Sequence, residues 1–225
     1  SGLRRRSAIN FRFDAIHRLL TGRDTKKFLI QTLWRHKNFE RVVFKEPFLS
    51  MSPNLAMQSG ADGIFWIVRD GRDVANSLVN TYNVLTDDDL KICRSNENPV
   101  KTDRKAGDLY IPWWVKDDDV DLFIRSTPFV RAGMMWAFTV QSCQDAFGDK
   151  KQVVRQNYED LMAEPAFCRF EIQKFLHAPE TPQLTKICST ASTGSIGKYK
   201  SRDPTEVAIL EAAIDETLSQ FGYTS

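Results

Sequence analysis

Residues 63–79 read GIFWIVRDGRDVANSLV, and this stretch decides the fold of the chain. It opens with the apolar run Ile64–Val68, whose β-branched and aromatic residues are typical of a strand buried on both faces. A turn should follow, because Asp70 can cap a helix and Gly71 can adopt unusual backbone angles. Apolar residues recur at helical spacing from Arg72 onward, so the pattern predicts a strand, a tight turn and a helix.

Two side chains of this stretch indicate an anion site. In βαβ units, ligands bind where the strands end, and Arg69 stands at that end. Ser77 lies in the first turns of the predicted helix. A guanidinium group, a hydroxyl and a helix N-terminus directed at one point would bind a phosphate. The alternative is an ordinary strand–helix turn with a surface salt bridge. Arg72, at the start of the predicted helix, is expected only to cap the helix or to pair with Asp73.

The composition is that of a globular protein of one domain. The chain has 225 residues, of which 42% are hydrophobic and 27% are charged. Its net charge of +2 does not require nucleic acid as a partner. No apolar run is long enough to cross a bilayer, and no signal-peptide core follows the basic start. We therefore expect no membrane segment and a cytoplasmic location, with a removed N-terminal anchor as the alternative.

The four cysteines are far apart in the sequence, which gives no close pair for metal binding or redox chemistry. They are Cys93, Cys143, Cys168 and Cys188. Reduced thiols are the expected state in a cytosolic protein.

Local patterns predict helix in most of the remaining chain. Residues 1–39 are expected to be helical, and short strands are expected at Val42–Phe44 and at Gln152–Tyr158. Further helices are predicted at 53–57, from 127 or 128 to 148, from 165 to 176, at 182–188 and from 204 to 222. The last of them has strong start signals, with Asp203 as cap, Pro204 at the first position and Glu206 two residues later.

The polar segment 86–126 is predicted to be a long loop, and such loops often act as lids. Its aromatic residues Trp113 and Trp114 are candidates for binding an acceptor, or else they fix the loop to the core. Its acidic runs, 87–89 and 117–119, are interpreted as solvated faces, because no calcium-loop pattern surrounds them. No metal is expected.

Arg69 and Ser77, eight residues apart, resemble the 3′-phosphate-binding motif of the sulfotransferases that use 3′-phosphoadenosine-5′-phosphosulfate (PAPS). Three other segments resemble that family in the same order: KEPF at 45–48, NYEDL at 157–161 and GKYK at 197–200. The first is similar to the Lys-Asp-Pro-Phe of tyrosylprotein sulfotransferases. The resemblance covers roughly residues 42–223.

The resemblance implies one α/β domain over residues 1–225, with a P-loop-NTPase-like three-layer fold, a mostly parallel central sheet and helices on both faces. It implies transfer of a sulfuryl group from PAPS to a hydroxyl or amine acceptor, with release of adenosine 3′,5′-bisphosphate. The acceptor would be a small molecule, a carbohydrate or a peptide. The donor-binding residues implied are Arg69, Ser77, Tyr158, Lys198 and Lys200. Lys45 would be the cation at the leaving oxygen, and Glu46 is a candidate base.

One family feature is missing. Members of the family carry a Gly-rich loop that binds the 5′-phosphosulfate through backbone N–H groups, and no such loop is recognisable here. We expect that the chain omits its first strand and this loop, because a βαβ fold without that strand would expose a long unpaired edge. The alternative is a non-catalytic nucleotide-binding or scaffold protein derived from the same fold. A P-loop kinase is a weaker alternative, because the sequence has no Gly-x-x-x-x-Gly-Lys-Ser/Thr.

Overall fold

A computed structural model describes residues 43, 45, 47–92, 102 and 104–224. The chain divides into two compact units, Ser1–Ile64 and Phe65–Ser225, and each is described by itself. In the first unit, a 3₁₀ turn at Pro47–Met51 is followed by helix α1 at Pro53–Gln58, as predicted. Val43 lies outside any strand and is exposed. The rest of the strand predicted at 42–44, and the helices predicted before residue 39, lie outside the described residues.

The remaining elements follow strand β1, Ile64–Val68, in chain order. They are α2 Gly71–Tyr82, α3 Asp87–Lys91, β2 Lys105–Ala106, β3 Leu109–Tyr110, α4 Val120–Arg125, α5 Pro128–Phe147, β4 Val153–Asn157, α6 Tyr158–Ala163, α7 Pro165–Leu176, α8 Pro182–Cys188 and α9 Pro204–Gln220. Short 3₁₀ turns lie at Asp117–Asp119, Thr193–Ser195 and Lys198–Ser201. The helices predicted from residue 53 onward and the strands at β1 and β4 are therefore confirmed within the described residues.

The described part is a mixed α/β structure that is mostly helical. Strands β1 and β4 form a small parallel sheet of two strands. Strands β2 and β3 form an antiparallel hairpin, with Lys105 opposite Tyr110 and Ala106 opposite Leu109. The broad α/β class is thus confirmed, but the described residues show a parallel sheet of two strands and no clear three-layer fold of the kind that the resemblance implies.

Helices α2, α5 and α9 pack against one another and form the main core. Helix α5 supplies many apolar residues to it, including Phe129, which is fully buried. Leu210 of α9 lies so close to Gly133 of α5 that a Cβ there would approach its Cδ1 to 2.0 Å. Strand β1 joins this core through Trp66, which packs edge-on against aromatic rings of α5 and of the C-terminal end of α9.

The helix boundaries follow the capping signals in the sequence. The side chain of Asp70 accepts a hydrogen bond from the N–H of Arg72 at the start of α2. Asp203 accepts from two backbone N–H groups at the start of α9. Helix α5 ends at Gly148, whose φ of 47° lies in the left-handed region that glycine tolerates best.

The described part of the segment 86–126 contains regular secondary structure. It contains α3, the β2–β3 hairpin and α4, so the prediction of a long loop is wrong for those residues. The first acidic run begins α3, where Thr86 and Asp89 form a capping box. Trp114 is 4% exposed and packs edge-on against Phe123, whereas Trp113 is 51% exposed. None of the helices described here is long and apolar enough to cross a membrane.

Candidate functional site

The turn between β1 and α2 is held by a buried arginine. The guanidinium of Arg72 donates to both carboxylate oxygens of Asp70, at 2.8–3.2 Å, and to Glu211 at 2.7 Å. It also lies 4.6 Å from the ring centroid of Tyr199. Burial acts to lower the pKa of Arg72, but the hydrogen bonds with Asp70 and Glu211 outweigh it and raise the pKa. Arg72 therefore joins α2 to α9, and the expected pairing with Asp73 is wrong.

Arg69, at the end of β1, joins two segments that are distant in the sequence. Its Nη2 donates to the carbonyl of Ser195 at 2.5 Å, and its guanidinium carbon lies 4.7 Å from the ring centroid of Tyr158. The hydroxyls of Tyr158 and Ser195 are 2.9 Å apart. The Nε of Arg69 is buried and has no hydrogen-bond partner among the described residues. One strong donor of this cation is therefore unused.

Asp73 attaches the loop before α9 to the first turn of α2. Its side chain is 1% exposed, and its carboxylate accepts from the N–H of Gly197 at 2.6 Å and of Tyr199 at 3.1 Å. Gly197 has a φ of 75°, which lets the loop turn here. The same carboxylate lies 3.9 Å from Nη2 of Arg69. Asp73 thus fixes residues 197–199 beside the end of β1.

The side chains of Ser77, Lys198 and Lys200, which were also predicted for the donor site, are exposed to solvent. Lys198 and Lys200 are exposed on the loop that Asp73 holds. Ser77 is exposed on α2, four residues after Asp73 and therefore one turn further along the same helix face. The structure thus brings Arg69 and Tyr158 into direct contact, and it holds the two-lysine loop on the helix that carries Ser77.

Sequence reasoning missed three residues of this site: Asp73, Glu159 and Ser195. Glu159 accepts from the N–H of Asp70 at 3.0 Å and from the O–H of Tyr223 at 2.9 Å. It lies inside the NYEDL segment, which was the one signal that could have found it. Asp73 accepts from Gly197, and Ser195 accepts from Arg69, each across more than 120 residues of sequence, so no local pattern indicates these contacts.

Two predicted residues belong to the first compact unit. Lys45 is exposed there, and Glu46 lies outside the described residues. Of the two candidate acceptor residues, Trp114 is a core side chain, which favours the alternative that it fixes the segment to the core. Trp113 has an exposed ring that packs edge-on against Phe138, with centroids 5.1 Å apart.

The hydrogen bond between Tyr223 and Glu159 makes stability depend on pH in the alkaline range. Burial of the phenol raises the pKa of Tyr223 above its ordinary value of 10.0, and the Glu159 carboxylate raises it further. The folded protein therefore keeps this proton at a pH where the unfolded chain releases it. Its contribution to stability is complete below about pH 10 and is lost as the pH rises further.

We expect the variant Tyr223→Phe to be less stable than the wild type at pH 7 by about 1.5–3 kcal/mol, because Glu159 loses a donor. Its stability should also fall less steeply above about pH 10, because one proton-linked group is gone. Urea unfolding at several pH values between 7 and 11 would measure both effects. An unchanged alkaline slope in the variant would contradict this assignment.

Within the described ranges, no group of three or more His, Cys, Asp or Glu side chains is arranged to hold a metal ion. Comparisons with models of known protein families, with curated proteins and with solved structures found no match. The chemistry of the site is therefore the basis for assigning a function.

Proposed function

We propose that this chain is a sulfotransferase that binds PAPS and transfers its sulfuryl group to a hydroxyl or amine acceptor. One observation carries the proposal: Arg69, Tyr158 and the loop 195–200 meet at the end of β1, beside the first turns of α2. These are the segments that resemble the donor-binding motifs of the family. They are separated in sequence by about 90 and about 125 residues, so their meeting is not a consequence of local structure.

The charges at this place suit a phosphate. Arg69, Lys198 and Lys200 are cationic, and the nearby Asp73 carboxylate is already engaged by two backbone N–H groups. The side chain of Arg69 is 21% exposed, so its guanidinium can approach a phosphate oxygen, and the exposed hydroxyl of Ser77 offers a second donor. Charge-assisted hydrogen bonds of this kind are about twice as strong as neutral ones. We assign this position to the 3′-phosphate, with the ring of Tyr158 on the adenine side.

When bound, PAPS supplies an activated sulfuryl group whose leaving partner is a phosphate oxygen. The protein would then position the donor and acceptor in line and stabilise the charge that develops at the leaving oxygen. We assign that cationic role to Lys45, and we keep Glu46 as the candidate base that takes the acceptor proton. Trp113, with its exposed ring, is the remaining candidate for contact with a planar or apolar acceptor.

We also propose that the parallel pair β1–β4 belongs to a larger parallel sheet, which is the middle layer of a three-layer fold of the P-loop-NTPase type. The support is the order of the elements: β1 runs directly into α2, and β4 directly into α6. Strand–helix units of this kind bind ligands at the carboxyl ends of their strands. Arg69 and Tyr158 stand at the ends of these two neighbouring strands.

A non-catalytic nucleotide-binding or scaffold protein is the second candidate, and the state of Arg69 favours it. Nη2 of this cation already donates to a carbonyl and lies 3.9 Å from a carboxylate, both within the chain. Such a guanidinium could hold the loop 195–199 in place and bind nothing else. The two candidates differ in whether the 3′-phosphate is recognised and in whether turnover occurs.

Thermal unfolding with adenosine 3′,5′-bisphosphate tests the binding site, with ADP and AMP as controls. At about 100 times its dissociation constant, a ligand stabilises by roughly 2.7 kcal/mol, which corresponds to roughly 5–10 °C here. We expect this shift only with the 3′-phosphorylated nucleotide. Equal shifts with ADP, or none with the bisphosphate, would overturn the proposal.

Two substitutions locate the binding site in the same assay. Arg69→Ala should abolish the shift, but it also removes the contact with Ser195 and so lowers the stability of the free protein. Ser77→Ala is the cleaner variant, because its side chain is exposed. The loss of a hydrogen bond to a charged group should weaken binding by about 10- to 100-fold, with little change in stability. Arg125→Ala and Ser219→Ala, also exposed, are the matched controls.

Turnover separates the enzyme from the scaffold. With PAPS and a panel of phenol, carbohydrate and tyrosine-peptide acceptors, release of adenosine 3′,5′-bisphosphate should be measurable in the wild type. In Lys45→Ala it should fall by about 100-fold or more, while the nucleotide-dependent thermal shift is retained. A protein that binds the bisphosphate selectively but shows no turnover with any acceptor would be the scaffold.

A further inference from the structure

Two thiols that are 20 residues apart in the sequence meet in the core of the second unit. Cys168 lies on α7, Cys188 is the last residue of α8, and their exposed fractions are only 7% and 4%. They share a small cluster of buried residues with Leu161, and Leu184 of α8 packs against the same cluster. The sequence spacing gave no close cysteine pair, and the fold brings these two residues into one cluster because α8 packs on α7.

Helix α8 packs on this cluster through Cys188 and the partly buried Leu184. Of its seven described residues, Cys188 is the one that is buried, while the neighbouring Ile187 is 66% exposed. A short helix with one buried side chain belongs to the low-stability end of a fold and can open locally. Opening of α8 would expose Cys188 without unfolding the core of α2, α5 and α9.

The thiol pair is connected to the candidate donor site through the chain. The chain that leaves Cys188 reaches Arg69 through the carbonyl of Ser195, and then Asp73 through the N–H of Gly197. Cys168 follows the helix that begins with Tyr158, whose hydroxyl meets that of Ser195. A covalent bond between the two sulfurs would therefore fix the start of the loop 189–201, whose Ser195 carbonyl accepts from Arg69.

We propose that Cys168 and Cys188 form a reversible disulfide that fixes α8 to α7 and restrains the loop 189–201. Glutathione disulfide is a sufficient oxidant. One protein thiol loses its proton, attacks a sulfur of glutathione disulfide and displaces one glutathione thiolate, which takes up a proton. The second protein thiol, deprotonated in turn, attacks this mixed disulfide and displaces the second glutathione. Two thiols are oxidised, and one glutathione disulfide is reduced to two glutathione molecules.

The surroundings make this exchange slow. Burial raises the pKa of Cys168 to about 11, and the neighbouring Cys188 adds to the shift, so little thiolate is present at neutral pH. The exchange should therefore accelerate with pH between about 7 and 9 and under conditions that open α8. Cys143 is also buried, and burial raises its pKa to about 12, but it lies on α5 and outside this cluster.

Peptide mapping of the full chain tests for the bond itself. The reduced native protein is incubated with glutathione disulfide at pH 8, its remaining thiols are blocked with N-ethylmaleimide, and it is digested with trypsin. Cleavage after Lys and Arg places the two cysteines in the peptides 156–169 and 187–198. We expect these two peptides to be recovered joined, and to separate on reduction. Recovery of glutathione adducts without the joined pair, or of the pair only after unfolding in urea, would overturn the proposal.

Thermal unfolding measures the effect of the bond. A disulfide that closes a loop of about 20 residues should raise Tm by about 6–12 °C. Glutathione disulfide should have no such effect on Cys168→Ser or Cys188→Ser, whereas the matched variant Cys93→Ser should keep it. If the joined peptides form in the wild type without a rise in Tm, the claim that the bond fixes α8 fails.

The effect on the donor site rests on the proposed function and is measured separately. We expect the oxidised protein to bind adenosine 3′,5′-bisphosphate with an affinity at least threefold different from that of the reduced protein. If neither form binds the nucleotide but the joined peptides are found, the proposed function fails and the disulfide stands. If the nucleotide binds and no joined peptides form, the disulfide fails alone.

Discussion

Replacing Gly71 with alanine is expected to lower the free energy of unfolding by about 2–3 kcal/mol, although alanine usually stabilises a helix. Gly71 is the first residue of α2, and a Cβ there would lie 2.3–2.7 Å from three ring atoms of Trp136. The indole cannot easily move aside, because the rings of Phe221 and Tyr223 pack against it. The gain of about 1 kcal/mol in helix propensity is thus smaller than the cost of overpacking.

Urea or thermal unfolding measures this effect, and Tm should fall by about 4–12 °C. Gly194→Ala is the matched control, since a Cβ at that position would meet one serine hydroxyl at 3.4 Å and the φ is not positive. Its stability should stay within about 0.5 kcal/mol of the wild type. If Gly71→Ala is as stable as that control, the close packing of α2 on α5 is wrong.

Local signals were sufficient to predict most of the described helices. Helix α5 begins at a Thr-Pro start signal and ends at Gly148, and α9 begins at Asp203 with Pro204 behind it. Such signals act within a few residues of the boundary, so the sequence carries them in readable form. The strand–turn–helix unit around Arg69 was predictable for the same reason.

The segment 86–126 was mispredicted because its ordering contacts are distant in the sequence. Helix α3 has only five residues, and its apolar periodicity is too short to recognise. Its position is fixed by Arg131, a fully buried cation on α5 that donates to the carbonyl of Leu85 and to Asp87. A buried arginine that satisfies carbonyl groups along a connection has no signature in the local composition.

The basic residues of the candidate site could be predicted from the sequence, whereas its acidic residues could not. Arg69, Lys198 and Lys200 stand in recognisable motifs, whereas Asp73 and Glu159 resemble ordinary helix N-terminal acids. The structure shows that both carboxylates bind backbone N–H groups of other segments. Which residue a carboxylate binds depends on how the segments are placed in space, and sequence spacing does not contain that information.

Replacing Asp73 with alanine is expected to cost about 3–5 kcal/mol and to release the loop that carries Lys198 and Lys200. The carboxylate is buried, and its two hydrogen bonds go to the N–H groups of Gly197 and Tyr199. Hydrogen bonds to charged groups contribute about 1.5–3 kcal/mol each, and alanine leaves both donors without an acceptor. Asp73→Asn keeps one acceptor oxygen and should lose about half as much stability.

Hydrogen exchange distinguishes release of the loop from general unfolding. In Asp73→Ala, the amides of Gly197 and Tyr199 should lose protection, while the amides in the middle of α5 should keep most of theirs. Asp215→Ala, an exposed aspartate on α9, is the matched control and should change neither. Retained protection at residues 197 and 199 would show that Asp73 does not hold the loop.

The same variant connects stability to the proposed site. If the loop 197–200 contributes cations to a bound 3′-phosphate, its release must weaken binding, even though Asp73 itself carries a charge that repels phosphate. Simple electrostatics predicts the opposite, because removing a nearby carboxylate should strengthen the binding of an anion. Titration of Asp73→Ala with adenosine 3′,5′-bisphosphate, below the Tm of the variant, distinguishes the effect of releasing the loop from the effect of removing the charge. Weaker binding would indicate that Asp73 acts by positioning the loop, and tighter binding would indicate that the loop does not contact the phosphate.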